Sequence, residues 1–371
     1  MDLVRLVSIL VVFAVHLASS GLPHLHPDPA RNEAWLYFAR NGSYGVTLFF
    51  VVSGFVITRT ILRRTPDLTR IDLGGFYARR AGRILPLFLL TVGLGTFALL
   101  ALRPEMESTR FCFRRPDARF DSWFWASLAT LSFNWLRILR EGDAFGFGLH
   151  WDVLWSLAIE EQFYLAYPLV LRGLGTRRRL CVFLGLVVAL GPLSRGLAAA
   201  YRPESFLLAY TNSFAAFEQI ALGALLCLLV EWQGPSDARG LRGALQAVAG
   251  GLGAVGVMAT YRYTSLESAS DRVWGPSAIA LALCLFLWAG IRRSWLESPL
   301  GRRFTDAGQL SYGGYLLHAA VLFALWPVLG GRAPWPAFLV FAATTLSVSA
   351  GVHRFCEVPA NRAVRRRLRA A

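Results

Sequence analysis

The sequence contains no lysine, so all 38 basic residues are arginine, and acidic residues number only 23. Its five cysteines form no CxxC pair, and their odd count indicates neither a disulfide framework nor a cysteine metal site. The HExxH, GxSxG and P-loop patterns are also missing. The sequence therefore predicts no bound metal and carries no motif of the common hydrolases or P-loop nucleotidases.

Long polar segments are equally scarce. Of the 371 residues, 55% are hydrophobic, above the roughly 45–50% of soluble domains. They fall in blocks near the length of about 20 residues that spans a bilayer. We therefore predict an all-α, polytopic transmembrane bundle of about ten helices, forming a single domain over residues 1–371. The predicted spans are 3–20, 43–62, 82–102, 152–171, 180–200, 206–231, 243–261, 273–291, 308–329 and 334–353.

The shorter aromatic segment 121–139 is interpreted as an interfacial or re-entrant helix, and counting it as another span is the alternative. Residues 1–20 also allow a cleaved signal peptide, but Asp2 and His16 disfavour that interpretation.

The arginines cluster in the breaks between apolar blocks, mostly on the side that holds both termini. By the positive-inside rule this places both termini in the cytoplasm and the chain in the inner or plasma membrane. The high basic charge also permits nucleic-acid binding. Its position between membrane spans favours the lipid bilayer as partner instead.

Arg5 and His16 are eleven residues apart on the first predicted helix. Eleven helical residues return to within about 20° of the starting direction, so both side chains share one stripe. An imidazole is a natural general base near neutral pH, and an arginine is a natural phosphate clamp. Together they would suit a long group donor that carries phosphates at one end and a reactive group at the other. The structural alternative is that Arg5 only snorkels to the membrane surface and His16 hydrogen-bonds to a neighbouring helix.

Three further places carry polar groups where apolar ones are expected. Ser53 and Gly54 lie within the second span, where small residues allow close helix packing or bring Ser53 to a ligand. Arg79 and Arg83 share a helix face, which indicates either topological charge or a phosphate cradle. Glu160 and Glu161 lie inside a predicted span, where a carboxylate either pairs with a cation or acts as an acid.

Five segments in order resemble the acyltransferase family 3 membrane proteins, which acylate cell-surface carbohydrates and some small molecules. The resemblance covers nearly the whole chain. Arg5 and His16 match an Arg-x10-His signature. The other four segments are FFVVSGFVIT at 49–58, FYARRAGRILP at 76–86, WSLAIEEQFYLAYP at 155–168 and LSYGGYLLH at 310–318.

The resemblance implies an O-acyltransferase, and most simply an O-acetyltransferase. The donor would be cytoplasmic acetyl-CoA or another acyl-CoA, and the acceptor a hydroxyl of a carbohydrate or small molecule. It implies His16 as the catalytic histidine and Glu160 as the functional acid, chosen over Glu161 because the first glutamate matches better.

Arg5 would contact the donor, and Arg79, Arg80 and Arg83 would bind its phosphates. Ser53 would line the donor site.

Some family members carry an added extracytoplasmic esterase-like domain, and this sequence predicts none. The arginine-rich loop at 103–120 is a departure from the family pattern without an assigned role. We expect Glu160 to orient or charge His16, as carboxylates do for other catalytic bases. The alternatives left open are a covalent acyl-histidine and a transporter or flippase of anionic lipid or glycan. The sequence does not predict an oligomeric state.

Overall fold

The structure is a computed structural model that describes residues 1–141, 146–233, 240–266, 268–290 and 308–370. Within these ranges every regular element is helical. The predicted end of one span at 291 lies outside these ranges, as do the arginines at 239, 292, 293, 302 and 303.

Seventeen α-helices follow one another in the described ranges. They are α1 Asp2–Ser19, α2 Glu33–Arg40, α3 Tyr44–Arg64, α4 Leu73–Ala101, α5 Glu107–Cys112, α6 Ser122–Ala129, α7 Phe133–Leu139, α8 Leu149–Asp152, α9 Leu154–Leu174, α10 Arg177–Tyr201, α11 Phe206–Thr211, α12 Ser213–Trp232, α13 Gly240–Tyr263, α14 Ala269–Gly290, α15 Ser311–Leu329, α16 Pro334–Val352 and α17 Val358–Ala370.

Nine helical segments of the described chain are long and apolar enough to cross a bilayer, which makes this a multi-pass membrane protein. The remaining predicted span, 152–171, contains α9, which has 21 residues. It is not among the nine, because polar residues such as Glu160 and Glu161 lower its mean hydropathy. The segment 121–139 forms α6 and α7, each too short to span the hydrocarbon.

Two helix ends differ from the sequence prediction. Helix α4 begins at Leu73 rather than at 82, because Asp72 caps it by accepting a hydrogen bond from the Gly75 amide at 2.8 Å. The whole basic cluster therefore lies on α4. Helix α16 runs on through a π-helical turn, His353–Glu357, into α17.

Contacts divide the chain into two compact units. The first comprises Met1–Ser8, Ser43–Ile71 and Ile159–Asp306. Within it α3 packs closely on α12. A side-chain carbon at Gly54 would collide with the Ile220 backbone oxygen, and one at Gly223 would collide with that of Val51. The two glycines thus allow the backbones of these helices to touch.

The second unit comprises Ile9–Gly42, Asp72–Ala158 and Ala307–Ala371. Here α15 packs against α16, α4, α5 and α8. Helices α6, α7 and α8 surround a cluster of aromatic rings in which Phe124 and Trp151 are fully buried, with centroids 5.1 Å apart at nearly right angles. Gly95 of α4 leaves room for the Trp151 ring.

Candidate active site

His16 lies in the second half of α1 and hydrogen-bonds to another histidine. Its Nδ1 is 2.8 Å from Nε2 of His318, which is contributed by α15. The two rings are nearly parallel, with an interplanar angle of 6° and centroids 4.9 Å apart. The His16 side chain is therefore held within the second unit.

His318 is completely buried. Phe13 of α1 lies beside its ring at a centroid distance of 5.5 Å. Its other ring nitrogen, Nδ1, is 2.6 Å from the backbone oxygen of Tyr315 one turn earlier. Both nitrogens of His318 are thus used, whereas Nε2 of His16 has no hydrogen-bond partner among the described residues.

Ser53 and Glu160 meet in the first unit, although they are 107 residues apart in sequence. The Ser53 hydroxyl donates to Oε1 of Glu160, and the Tyr164 hydroxyl donates to the same oxygen at 2.5 Å. The two hydroxyl groups are also in contact with each other. Glu160 and Ser53 are both buried, so these three side chains form an enclosed polar cluster between α3 and α9.

Ser53 and Gly54 therefore make two separate contacts. Gly54 permits close packing of α3 on α12, which is the structural interpretation of the motif. Ser53, one position earlier, contacts the carboxylate of Glu160. Glu161 is buried as well, and side chains one residue apart on a helix point about 100° apart. The contact with Ser53 distinguishes Glu160 from its neighbour.

The arginine cluster lies in the second and third turns of α4. Arg79 and Arg80 are half-buried and Arg83 is exposed. Arg79 lies 3.8 Å from the carboxylate of Asp72, the capping residue of the same helix. Helix α17 packs against α4 and brings Val364 close to Gly82. The cluster thus lies where α4 meets a second arginine-rich helix.

Arg5 lies one turn after the start of α1 and pairs with Asp2 at 3.0 Å. Helix α1 is continuous from Asp2 to Ser19, so Arg5 and His16 share one helix at the predicted spacing. Their common stripe follows from that helical geometry.

The segment His150-Trp151-Asp152 is accounted for by structural contacts. Nε2 of His150 is 2.8 Å from the Thr91 backbone oxygen, and the Trp151 indole donates to the Phe113 backbone oxygen at 3.0 Å. Asp152 pairs with Arg137 at 3.3 Å. These residues join α8 to α4, α7 and the end of α5.

Two functional or structural pairs could not be identified from the sequence. His318 lies in the LSYGGYLLH segment, and its partner His16 is 302 residues away in sequence. Arg195 lies inside a predicted span and pairs with Glu218 of α12 at 2.6 Å, both almost completely buried. Charged residues within apolar blocks are the signal that could have indicated this pair.

The chain is similar in sequence to two bacterial proteins that are named O-acetyltransferases. The chain is 27% identical to the peptidoglycan O-acetyltransferase OatA of Listeria monocytogenes, over 96% of this chain and 55% of that protein. It is 39% identical to the O-acetyltransferase OatA of Staphylococcus aureus over 144 residues, which are 38% of this chain and 21% of that protein. The chain thus spans about half the length of the Listeria relative.

No solved structure matches the chain. The sequence profile of the acyltransferase domain family matches residues 1–354, which is nearly the whole chain. These residues include both histidines of the α1–α15 pair, the Ser53–Glu160 cluster and the α4 arginines. The chain belongs to the acyltransferase domain family, Acyl_transf_3.

Proposed function

We propose that this protein is an O-acetyltransferase of the cell membrane that moves an acetyl group from cytoplasmic acetyl-CoA to a hydroxyl of a cell-wall or other surface carbohydrate. Family membership supports acyl transfer. The names of the relatives, a peptidoglycan O-acetyltransferase and an O-acetyltransferase, support the acetyl group and the carbohydrate acceptor.

The observation that best supports the proposal is the hydrogen bonding of the His16 imidazole. Its imidazole lies within a helix apolar enough to span the membrane and is anchored through Nδ1. Nε2 has no partner among the described residues. A half-buried imidazole with one anchored nitrogen and one available nitrogen is suited to general-base catalysis.

In the proposed step, Nε2 of His16 takes the proton of the acceptor hydroxyl as the hydroxyl oxygen attacks the thioester carbonyl carbon. The new carbon–oxygen bond forms and the carbon–sulfur bond breaks. The leaving thiolate then takes the proton back from His16, so the products are an acetyl ester and free CoA. No metal or redox partner is needed to balance this reaction.

The arginines are suited to binding the phosphates of the acetyl-CoA donor. Arg79, Arg80 and Arg83 lie on adjacent turns of α4, and guanidinium groups bind phosphate oxygens in bidentate fashion. Arg5 is the fourth proposed donor contact. Ser53 is proposed separately as a donor contact, and Glu160 as the functional acid of its own segment.

The test is acetyl transfer by the purified protein in lipid nanodiscs. Labelled acetyl-CoA and peptidoglycan-derived oligosaccharides are supplied together, and free CoA and sugar-bound acetyl ester are measured. We expect the two products to appear in equal amounts. Acetyl-pantetheine, which lacks the nucleotide phosphates, should be a poorer donor through a raised KM.

Absence of CoA release together with glycan flux across vesicles would assign the protein to the transporters instead. Ester formation without any preference for acetyl-CoA over acetyl-pantetheine would remove the α4 arginines from donor binding.

A further inference from the structure

We propose that His318 is a positioning residue for acyl transfer, which fixes the tautomer of His16 so that Nε2 is left unprotonated. This inference rests on the proposed function, because it explains how His16 becomes a base. In this proposal His318 orients the imidazole of His16, as carboxylates orient the catalytic histidine in other enzymes.

The first step concerns the proton on His318. The backbone oxygen of Tyr315 can only accept a hydrogen bond, and Nδ1 of His318 is 2.6 Å from it. Nδ1 of His318 therefore carries a hydrogen. Because both atoms belong to one turn of α15, this bond is set by the helix itself.

The second step concerns the proton on His16. The His318 ring is fully buried, with Phe13 beside it, and the described residues place no carboxylate in hydrogen bond with either ring. Burying an unpaired charge is costly, so His318 is neutral and its Nε2 is an acceptor. Nδ1 of His16, at 2.8 Å, must then be the donor.

The third step follows from the single hydrogen of a neutral imidazole. If Nδ1 of His16 carries it, Nε2 has a free lone pair and can take the proton of a hydroxyl. The opposite direction of the bond would place a hydrogen on Nε2 of His16 and prevent it from acting as a base. When His16 becomes protonated during the reaction, the bond to His318 is retained.

The proposal is tested without relying on activity by nitrogen NMR of histidine-labelled protein in nanodiscs, with the His16 signals assigned by comparison with His16→Ala. We expect His16 in the intact protein to be protonated on Nδ1 and bare on Nε2. His318→Phe removes the acceptor, and the His16 signals should then move toward the Nε2-protonated form. His318→Gln offers an amide oxygen in place of the ring nitrogen and should retain the original form.

Kinetics supply the second measurement. A wrong histidine tautomer lowers kcat by about 10⁴-fold in serine proteases, so we expect His318→Phe to lose about 10²- to 10⁴-fold in kcat. The KM for acetyl-CoA should remain within about twofold, because the α4 arginines are untouched. His318→Gln should recover part of the rate, and His24→Phe, at an exposed histidine, should leave it unchanged.

A hydrogen on Nε2 of His16 in the intact protein would overturn the proposal, whether or not acyl transfer is observed. Equal kcat values for His318→Phe and His318→Gln, with both proteins folded, would overturn it as well. If NMR shows the expected tautomer of His16 but the protein transfers no acetyl group, the role of His318 is supported. Only the proposed function is then contradicted.

Discussion

At the scale of single residues, Glu160 is the most informative side chain. Its Oε1 accepts from both Ser53 and Tyr164 inside the protein. A buried carboxylate in such a place is costly unless its oxygens are satisfied. The cluster therefore contributes to the stability of the fold.

Ser53→Ala and Tyr164→Phe should each destabilise the protein by about 1–3 kcal/mol, because each leaves a buried partner with one bond fewer. Their effects should not add, since both hydroxyls share one oxygen and touch each other. Thermal unfolding of the two single variants and the double variant in detergent measures this.

Thr60→Ala is the matched control, because the Thr60 hydroxyl is exposed and bonds only within its own helix. It should change stability by no more than about 0.5 kcal/mol. Strict additivity of Ser53→Ala and Tyr164→Phe would contradict the shared cluster.

The sequence singled out Ser53, His16 and Glu160 one by one, because each is a polar group within an apolar block. It could not pair them. Pairing depends on which helices become neighbours, and apolar blocks of similar length carry little information about that. The structure pairs His16 with His318 in the second unit and Ser53 with Glu160 in the first.

At the scale of helices, the α3–α12 crossing depends on two small residues. Gly54→Ala would drive a methyl group into the Ile220 backbone oxygen, and overpacking of this kind costs about 1–3 kcal/mol. We expect a lower unfolding temperature and a smaller folded yield after purification. The contact involves backbone atoms, which cannot move aside as a flexible side chain would.

Gly185→Ala on α10 is the control, because a methyl group there meets nothing within 4 Å. Its unfolding temperature should be unchanged or slightly raised, as alanine favours helix more than glycine does. An unchanged unfolding temperature for Gly54→Ala would show that the helices cross elsewhere.

A buried ion pair also joins helices in the first unit. Arg195 donates to Glu218 and Ser277 as well as to backbone oxygens of Val273 and Ala215. Removing one partner of a buried pair leaves an uncompensated charge, which costs about 3–5 kcal/mol. Glu218→Ala should therefore lower the unfolding temperature strongly.

The exposed pair of Arg202 and Glu204, at 3.7 Å, provides the comparison. Glu204→Ala should cost at most about 1 kcal/mol, as surface pairs do. Similar unfolding temperatures for Glu218→Ala and Glu204→Ala would contradict the buried network.

At this scale the presence of the helices could be predicted from the sequence, whereas the residues at which they begin and end were predicted less well. All ten predicted spans form helices, because blocks of about 20 apolar residues have few other solutions in a membrane. The start of α4 was misplaced by nine residues, since hydropathy follows the lipid-exposed part of a helix and not its capped polar beginning. Asp72 was the available signal for that earlier start.

At the scale of the whole molecule, the distribution of arginine predicts both termini in the cytoplasm. A green fluorescent protein fused after residue 371 should fluoresce, and alkaline phosphatase fused at the same place should be inactive. A fusion within the 103–120 loop, which is predicted to lie on the outer side, provides the control and should give the reverse pattern. Active phosphatase at the C-terminus would contradict the predicted orientation.

The most direct test of the account compares two histidine variants of the whole protein in the acetyl-transfer assay. His16→Ala removes the proposed base, whereas His24→Ala changes an exposed histidine that follows the same helix. General-base catalysis contributes about 10²- to 10⁴-fold, so His16→Ala should lose at least about 10²-fold in kcat. His24→Ala should keep the original rate. Equal acetyl-transfer rates for the two folded variants would remove His16 from the reaction and contradict the account.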